Sequence, residues 1–404
     1  MGSCAIINYY DDIKSYIDSN LIDTIVLYID DNTYLTKLKK YTYDIIINIY
    51  NNIDTTTKKP NNLIDKSHKY CIENIINDYY DILITNISQY NKRTNILKNL
   101  LKLKLPEQRS IEWFNIRKSV ITASSFASVL NNCQYKSRDE LLLEKIEDIN
   151  KPYVSNPITE WGVKYEEIAT KFYESMNNIK IKEFGMIPHP DFPIFGASPD
   201  GICDFGSIEL TGRMLEIKCP PKRKFTKSVP KHYWIQMQGQ LECCNLDECD
   251  FLQVKLNDYN SFDEYCSDTN SENGYTSNGF PKGVTVTYKE IFSEKNSYLY
   301  PDLYLSNDQY VDWINTQKKW IDDNEYEFVE AKWWFIERFE CTLVKRDKDW
   351  WNQNMCHLIQ FWKDVEYYKL NGYDELIQRC EQTKYKHKRV TMIKPSENKN
   401  CLID

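Results

Sequence analysis

The sequence predicts an α+β protein with a mainly helical N-terminal extension, and three observations predict it. Through residue 104, apolar side chains recur three and four apart, as on one face of a helix. Beyond Pro106, short apolar runs bounded by Gly, Pro and Asn alternate with longer helical patterns. The 404 residues are 42% hydrophobic and 14% aromatic, enough to fill a core and too much for a wholly disordered chain. The expected organisation is a helical region over 1–104, a mixed region over 105–372 with a surface insertion near 257–330, and a tail over 373–404.

Residues 1–104 are rich in Ile, Asn, Asp, Tyr and Lys and hold two helix-breaking residues, Gly2 and Pro60. The strings Asp44–Tyr50 and Ile75–Leu83 predict amphipathic helices, broken near Asp54–Asn62, with strands as the alternative because Ile is β-branched. After Pro106, Ser110 ahead of Ile111-Glu112-Trp113 reads as a helix cap, and Thr122-Ala123-Ser124-Ser125 as a second cap before Phe126–Leu130. Asn156-Pro157 opens a helix through Met176, with Trp161, Tyr165, Ile168 and Phe172 on one face. Ile179–Ile187, Phe192–Ala197 and Met214–Lys218 read as strands, the last stopped by Pro220-Pro221. Tyr233–Cys243 returns to helix and Cys249–Leu256 to strand. Asn257–Gly283, rich in Ser, Asn, Asp and Gly, reads as surface insertion, Lys332–Val344 as strand, and Asp347–Leu370 as a helix with a buried aromatic stripe.

Composition narrows the function. The net charge is −8, from 51 basic and 59 acidic residues, with a pI near 5.4, which argues against a protein that coats nucleic acid over its whole surface. A local basic groove stays compatible with it. No apolar run approaches the ~18 residues of a membrane helix, and no secretory signal opens the chain. Thirteen cysteines without a Cys-x-x-Cys pair fit reduced thiols. The expectation is a soluble, intracellular protein. Both termini mimic lipidation sites and fail the pattern: Ile6 stands where myristoylation wants Ser or Thr, and Asp404 ends a prenylation-like box.

Three acids and a lysine carry the chemistry. Asp200 follows Pro199 at the end of one predicted strand, and Glu216-Ile217-Lys218 lies on the next. Side chains on a strand alternate, so Glu216 and Lys218 share a face, and a hairpin would bring Asp200 beside them. Crowded carboxylates call for a cation, and oxygen ligands without His or Cys point to Mg²⁺ or Mn²⁺. The lysine can hold or help deprotonate an attacking water, the set required for metal-assisted phosphodiester hydrolysis. Alone, Glu-x-Lys is more often a solvated strand face. Its neighbours add to it. Glu166 sits one turn after Gly162, off the apolar stripe, with Glu167 an equal candidate by spacing. Lys218, Lys222, Arg223, Lys224, Lys227 and Lys231 form a basic run without an acid, as along a phosphate track. Gln236 and Gln240 share a helix face and can bond a water or DNA.

The order of these motifs resembles the YqaJ-type viral recombinase nucleases, the group that includes phage lambda exonuclease. The segments that carry the resemblance are Trp113–Ser124 (WFNIRKSVITAS), Trp161–Ala169 (WGVKYEEIA), Gly196–Ile202 (GASPDGI), Leu215–Pro220 (LEIKCP) and Tyr233–Leu241 (YWIQMQGQL). It implies a PD-(D/E)xK, restriction-endonuclease-like core: a mixed sheet flanked by helices. It implies that Asp200, Glu216, Glu166 and the Ile217 carbonyl hold the metal, that Lys218 activates the water, and that Gln236 is an active-site residue. Arg117 and Ser124 match positions that bind a 5′-terminal phosphate, with Lys222, Arg223, Lys224 and Lys227 along the DNA. The implied activity is Mg²⁺-dependent 5′-to-3′ digestion of duplex DNA ends, leaving 3′ overhangs for a single-strand annealing protein. A homo-oligomer and, for a viral chain, the host cytoplasm are also implied. Residues 1–104 and 257–330 match nothing in the family.

Two rivals stand beside this reading. A RecB-like nuclease with an iron–sulfur cluster needs four clustered cysteines, and Cys243, Cys244 and Cys249 supply three. A non-catalytic DNA-end-binding or assembly protein would not need Asp200, Glu216 and Lys218 together.

Overall fold

The computed structural model describes residues 3–21, 32–53, 66–147, 156–222, 225, 228–270 and 274–382. Two compact units divide the chain: Met1–Lys98 with Gly206–Gly212, and Asn99–Phe205 with Arg213–Asp404.

The first unit is helical, as the three-and-four spacing predicts: α1 (Ser3–Asn20), α2 (Asn32–Ile53) and most of α3 (Lys66–Leu100). Ile13, Ile17, Leu35, Leu38, Ile46, Ile72, Ile76, Tyr80, Leu83 and Ile87 interlock as its core. Spacing overrides the β-preference of isoleucine here, because a helix can bury these side chains in one stripe and a strand cannot. The Thr42 and Tyr80 hydroxyls satisfy each other at 2.8 Å inside this core.

The second unit is the α+β core, a mixed sheet flanked by helices. It begins with α4 (Ile111–Ser119), capped by Ser110 as expected. Then come β1 (Ile121–Thr122), a 3₁₀ turn (Ala123–Ser125), α5 (Phe126–Val129) and α6 (Arg138–Ile146). Helix α7 (Pro157–Asn177) has Asn156 as its cap and buries Tyr165, Ile168 and Phe172. Strands β2 (Ile181–Lys182), β3 (Ile187–Pro188), β4 (Phe195–Ala197), β5 (Gly201–Cys203) and β6 (Met214–Lys218) follow. Two of the expected strands shrink to these short pairings because Pro188, Pro190 and Pro193 cannot donate to a ladder. Helix α8 (Lys231–Cys244) leads to β7 (Glu248–Asp258). Seven strands pair in the order β2-β5-β6-β7-β10-β8-β9, and β1, β4 and β3 form a small second sheet. In the large sheet β6 and β7 run parallel, and the other neighbours are antiparallel.

The stretch read as a surface insertion differs from expectation. Helix α9 (Phe262–Ser267), β8 (Lys282–Glu290), β9 (Asn296–Leu299) and α10 (Asn307–Asp323) lie within it, and β8 and β9 extend the sheet beyond the long β10 (Tyr326–Lys345). Its polar composition masks an aromatic core of Tyr259, Tyr265, Tyr310 and Trp333. Helix α11 (Lys348–Asn371) then packs Trp351, Leu358, Phe361 and Val365 with Phe126 and Phe195, so most of the aromatic stripe is core, with Trp350 and Trp362 partly buried and Tyr367 exposed.

Candidate active site

The site sits where β5, β6, α7 and α8 meet. Asp200 immediately precedes β5, and β5 pairs antiparallel with β6 through Gly201 and Leu215. Asp200 accepts a 2.6 Å hydrogen bond from the Ile217 N–H and lies 3.9 Å from the Lys218 ammonium. Lys218 also donates to Glu216 on the same strand face and, at 3.0 Å, to the Ile217 carbonyl. Strand alternation and the hairpin thus gather Asp200, Glu216 and Lys218 as the sequence predicts. On its other side β5 pairs with β2, where a Cβ on Gly201 would stand 2.1 Å from Ile181 Cγ2.

Glu216 is 0% exposed. A buried carboxylate needs donors, and α8 supplies two: Gln236 Nε2 lies 2.7 Å from Oε1, and Gln240 Nε2 lies 2.7 Å from Oε2. The two glutamines are one helical turn apart, on the shared face their spacing predicts. On the opposite face Gln238 donates to the Lys345 carbonyl at 2.9 Å and accepts from the Asp347 N–H at 2.7 Å. Helix α8 therefore brackets the site strand on one side and the β10–α11 junction on the other.

Charge is crowded here. Burial, and then the Glu216 carboxylate, push the Asp200 carboxyl well above the usual range, although Lys218 opposes this. Burial works against the Lys218 ammonium, but Glu216 and Asp200 overcome it and raise its pKa. Lys218 also faces the Tyr233 ring, 5.3 Å from its centroid.

Glu166 comes from α7. Its Oε1 pairs with Arg109 Nη2 at 3.1 Å. Burial raises its pKa, with Arg109 and Lys218 acting against the rise and Glu216 with it. Arg109 is a residue the sequence reading missed. It takes a left-handed backbone (φ 69°) in the turn before α4, and its neighbour Gln108 reaches the Pro199 carbonyl at 3.2 Å. Tyr233 also belongs to this constellation without having been assigned to it, and Gln240, read as able to bond a water or DNA, is buried and bonds Glu216 instead. The helical spacing of Gln240 from Gln236 was the available signal for that glutamine, whereas Arg109 had none.

Arg117 lies apart from the acids. Its guanidinium stacks 4.4 Å over the Trp113 ring, and Trp113 Nε1 donates to Ser198 Oγ at 2.9 Å, two residues before Asp200. Burial lowers the Arg117 pKa, with Glu144 opposing. The nearby Lys145 is pushed down to about 8, by burial first. Ser124, on the 3₁₀ turn, shares a 3.1 Å hydrogen bond with Thr122. Lys222 is exposed, while Arg223, Lys224 and Lys227 lie outside the described residues, as does the chain from 383; the start of the expected tail, 374–382, is instead a helix that buries Leu376 and Cys380 in the core.

Asp200, Glu216, Glu166 and the Ile217 carbonyl offer only oxygen, the donor type that suits a hard divalent cation. Among the described residues, no three His, Cys, Asp or Glu side chains are already gathered closely enough to cage an ion. The position a cation would neutralise is filled by the Lys218 ammonium. Among the described residues, no helix is long and apolar enough to cross a membrane. Cys243, Cys244 and Cys249 are buried free thiols. Burial raises the pKa of all three.

Residues 112–247, which hold most of these elements, match the family model of the YqaJ-like viral recombinase domain. The chain is 30% identical over 354 residues to an uncharacterized protein of Acanthamoeba polyphaga mimivirus, covering 80% of this chain and 64% of the mimivirus protein. It is also 30% identical over 161 residues to a protein of African swine fever virus (strain Badajoz 1971 Vero-adapted), covering 34% of this chain and 46% of the swine fever virus protein. The chain thus spans less than two thirds of either viral relative. Among solved structures, the alkaline exonuclease LHK-Exo of Laribacter hongkongensis aligns over 68% of this chain and 99% of its own at 20% identity, with a TM-score of 0.37. LHK-Exo has also been solved in complex with dAMP.

Proposed function

We propose that this protein is a Mg²⁺-dependent deoxyribonuclease, with Mn²⁺ as a substitute, that digests linear duplex DNA from its 5′ ends and leaves 3′ overhangs. The gathering of Asp200, Glu216 and Lys218 at the β5–β6 pair carries the reading. In the family resemblance these positions have the same three roles. Asp200, Glu216, the Ile217 carbonyl and Glu166 would hold the divalent ion. When bound, such an ion neutralises phosphate charge and makes water a usable nucleophile at neutral pH.

The chain's own residues do the rest. Lys218 directs a donor toward the attacking water and the scissile phosphate, which is anionic and gains charge density as the bond forms. Gln236, at the solvent side of the Glu216 carboxylate, offers a second donor at the mouth of the site. Arg117, placed over Trp113, is the bidentate partner for a 5′-terminal phosphate, with Ser124 as a second donor in the family resemblance. Lys222 with Arg223, Lys224 and Lys227 neutralises backbone phosphates along the duplex. The overhang produced is the substrate of a single-strand annealing protein, and a homo-oligomer would hold the enzyme on its duplex.

Purified protein incubated with end-labelled linear duplex tests metal need and polarity together. Loss of 5′ label as mononucleotide with Mg²⁺, and none with chelator, is the expected result. Undigested DNA under both conditions rejects the enzyme, and early loss of 3′ label rejects the polarity.

A further inference from the structure

We propose that Gln240 is a positioning residue that fixes the Glu216 carboxylate in the orientation with which it ligates the divalent ion. This rests on the nuclease reading and adds a residue to which no role is assigned. Gln240 is 1% exposed, too deep to touch a substrate, and its Nε2 lies 2.7 Å from Glu216 Oε2. A carboxylate only accepts hydrogen bonds, so the amide nitrogen must face it. That choice strands the other end of the same amide: Gln240 Oε1 is buried with no hydrogen-bond partner among the described residues.

An unsatisfied buried carbonyl costs about 1–3 kcal/mol, and an apolar side chain of similar size would avoid that cost. The amide at this position is therefore explained by what its nitrogen does for Glu216. Sites of function are where such local costs are tolerated. Gln236 holds the other carboxylate oxygen, so the pair of amides defines the plane of the carboxylate as well as its position. The reach of Gln240 is fixed in turn by the helix. Gly239 lets α8 close on the 3₁₀ turn and α5, since a Cβ there would stand 2.4 Å from the Phe126 ring.

Residues that orient metal ligands from behind typically change metal affinity about 10–100-fold when replaced. Mn²⁺ titrated into DNA-free protein, with free ion read by electron paramagnetic resonance, tests the proposal without any cleavage assay. Gln240→Met is expected to raise the Mn²⁺ dissociation constant about 10–100-fold. Gln240→Asn, which keeps the amide but withdraws it from Glu216, should weaken binding in the same direction and serves if the Met variant fails to fold. Gln238→Met removes an amide of the same helix on the other face, and its Mn²⁺ affinity should stay within about twofold of wild type. Folded Gln240 variants that bind Mn²⁺ like wild type overturn this proposal alone. Equal weakening by Gln238→Met also overturns it, because the effect is then a general loosening of α8. A wild-type protein that binds no Mn²⁺ overturns it together with the nuclease reading.

Discussion

The two units bury different things. Among the described residues the first unit closes an isoleucine- and tyrosine-rich core whose one buried charge, Arg93, donates to the Ile208 carbonyl. The second unit buries Glu216, Gln238, Gln240, Glu242, Asp250 and Lys282, each at a cost in desolvation that hydrogen bonds must offset. Arg346 reaches the buried Glu242 and the Asn245 side chain, and Lys282 is held by the main-chain oxygens of Tyr265 and Asp268. Most of these polar groups brace elements against one another. Asp200, Glu216 and Lys218 differ because their charges crowd together where Asp200 and Lys218 keep some exposure, as a stability-driven core would avoid. The difference marks the candidate site without reference to any motif: buried charge is concentrated there and incompletely matched by the fold's needs.

The largest effect should therefore come from this cluster. Lys218→Ala is expected to lower the cleavage rate about 10²–10³-fold, the scale of losing one preorganised donor, while affinity for duplex DNA stays nearly constant. Single-turnover kinetics beside a binding isotherm separate the two quantities. Wild-type cleavage in this variant would remove the lysine from the mechanism and blur the contrast between the units.

Ile76→Ala probes the other side of the comparison. Ile76 is fully buried in the helical core, so truncation should cost about 2–5 kcal/mol in that unit's unfolding. Thermal or denaturant melts report the loss, and the cleavage rate measured well below the transition should be unchanged. A rate that falls while α1–α3 remain folded would show that the helical unit takes part in the reaction.

Local signals were legible at many positions where local physics decides the structure, although the cap read at Thr122–Ser125 makes no side-chain hydrogen bond to its helix. Ser110 and Asn156 cap their helices because a side-chain oxygen beside free N–H groups is favourable in almost any context. Glu216 and Lys218 share a face because strand geometry requires it, and Gln236 and Gln240 align because a helix turn does. What stayed hidden depends on distant partners. Arg109 meets Glu166 across 57 residues from a left-handed turn that no local pattern announces. Strands β8 and β9 were obscured because Ser, Asn and Gly dominate the preceding segment, while the tyrosines that make it a core are scattered. The unpaired oxygen of Gln240 appears only once the helix is seated on β6.

Arg117 offers the smallest and most selective test. Its guanidinium lies over the Trp113 ring, which is tied through Ser198 to the strand entering the acidic cluster, so a phosphate bound there would have a fixed distance to the proposed site of cleavage. Cation–π stacking leaves the guanidinium edge free for bidentate recognition of an anion. Arg117→Ala should slow digestion of 5′-phosphorylated duplex about tenfold, the scale of one charge-assisted contact, and leave 5′-hydroxyl ends nearly unaffected. The measurement is the ratio of initial rates on the two substrates in wild type and variant. A ratio that does not move means Arg117 supports the packing of α4 rather than reading the end of the strand, and the 5′ polarity would then need another determinant.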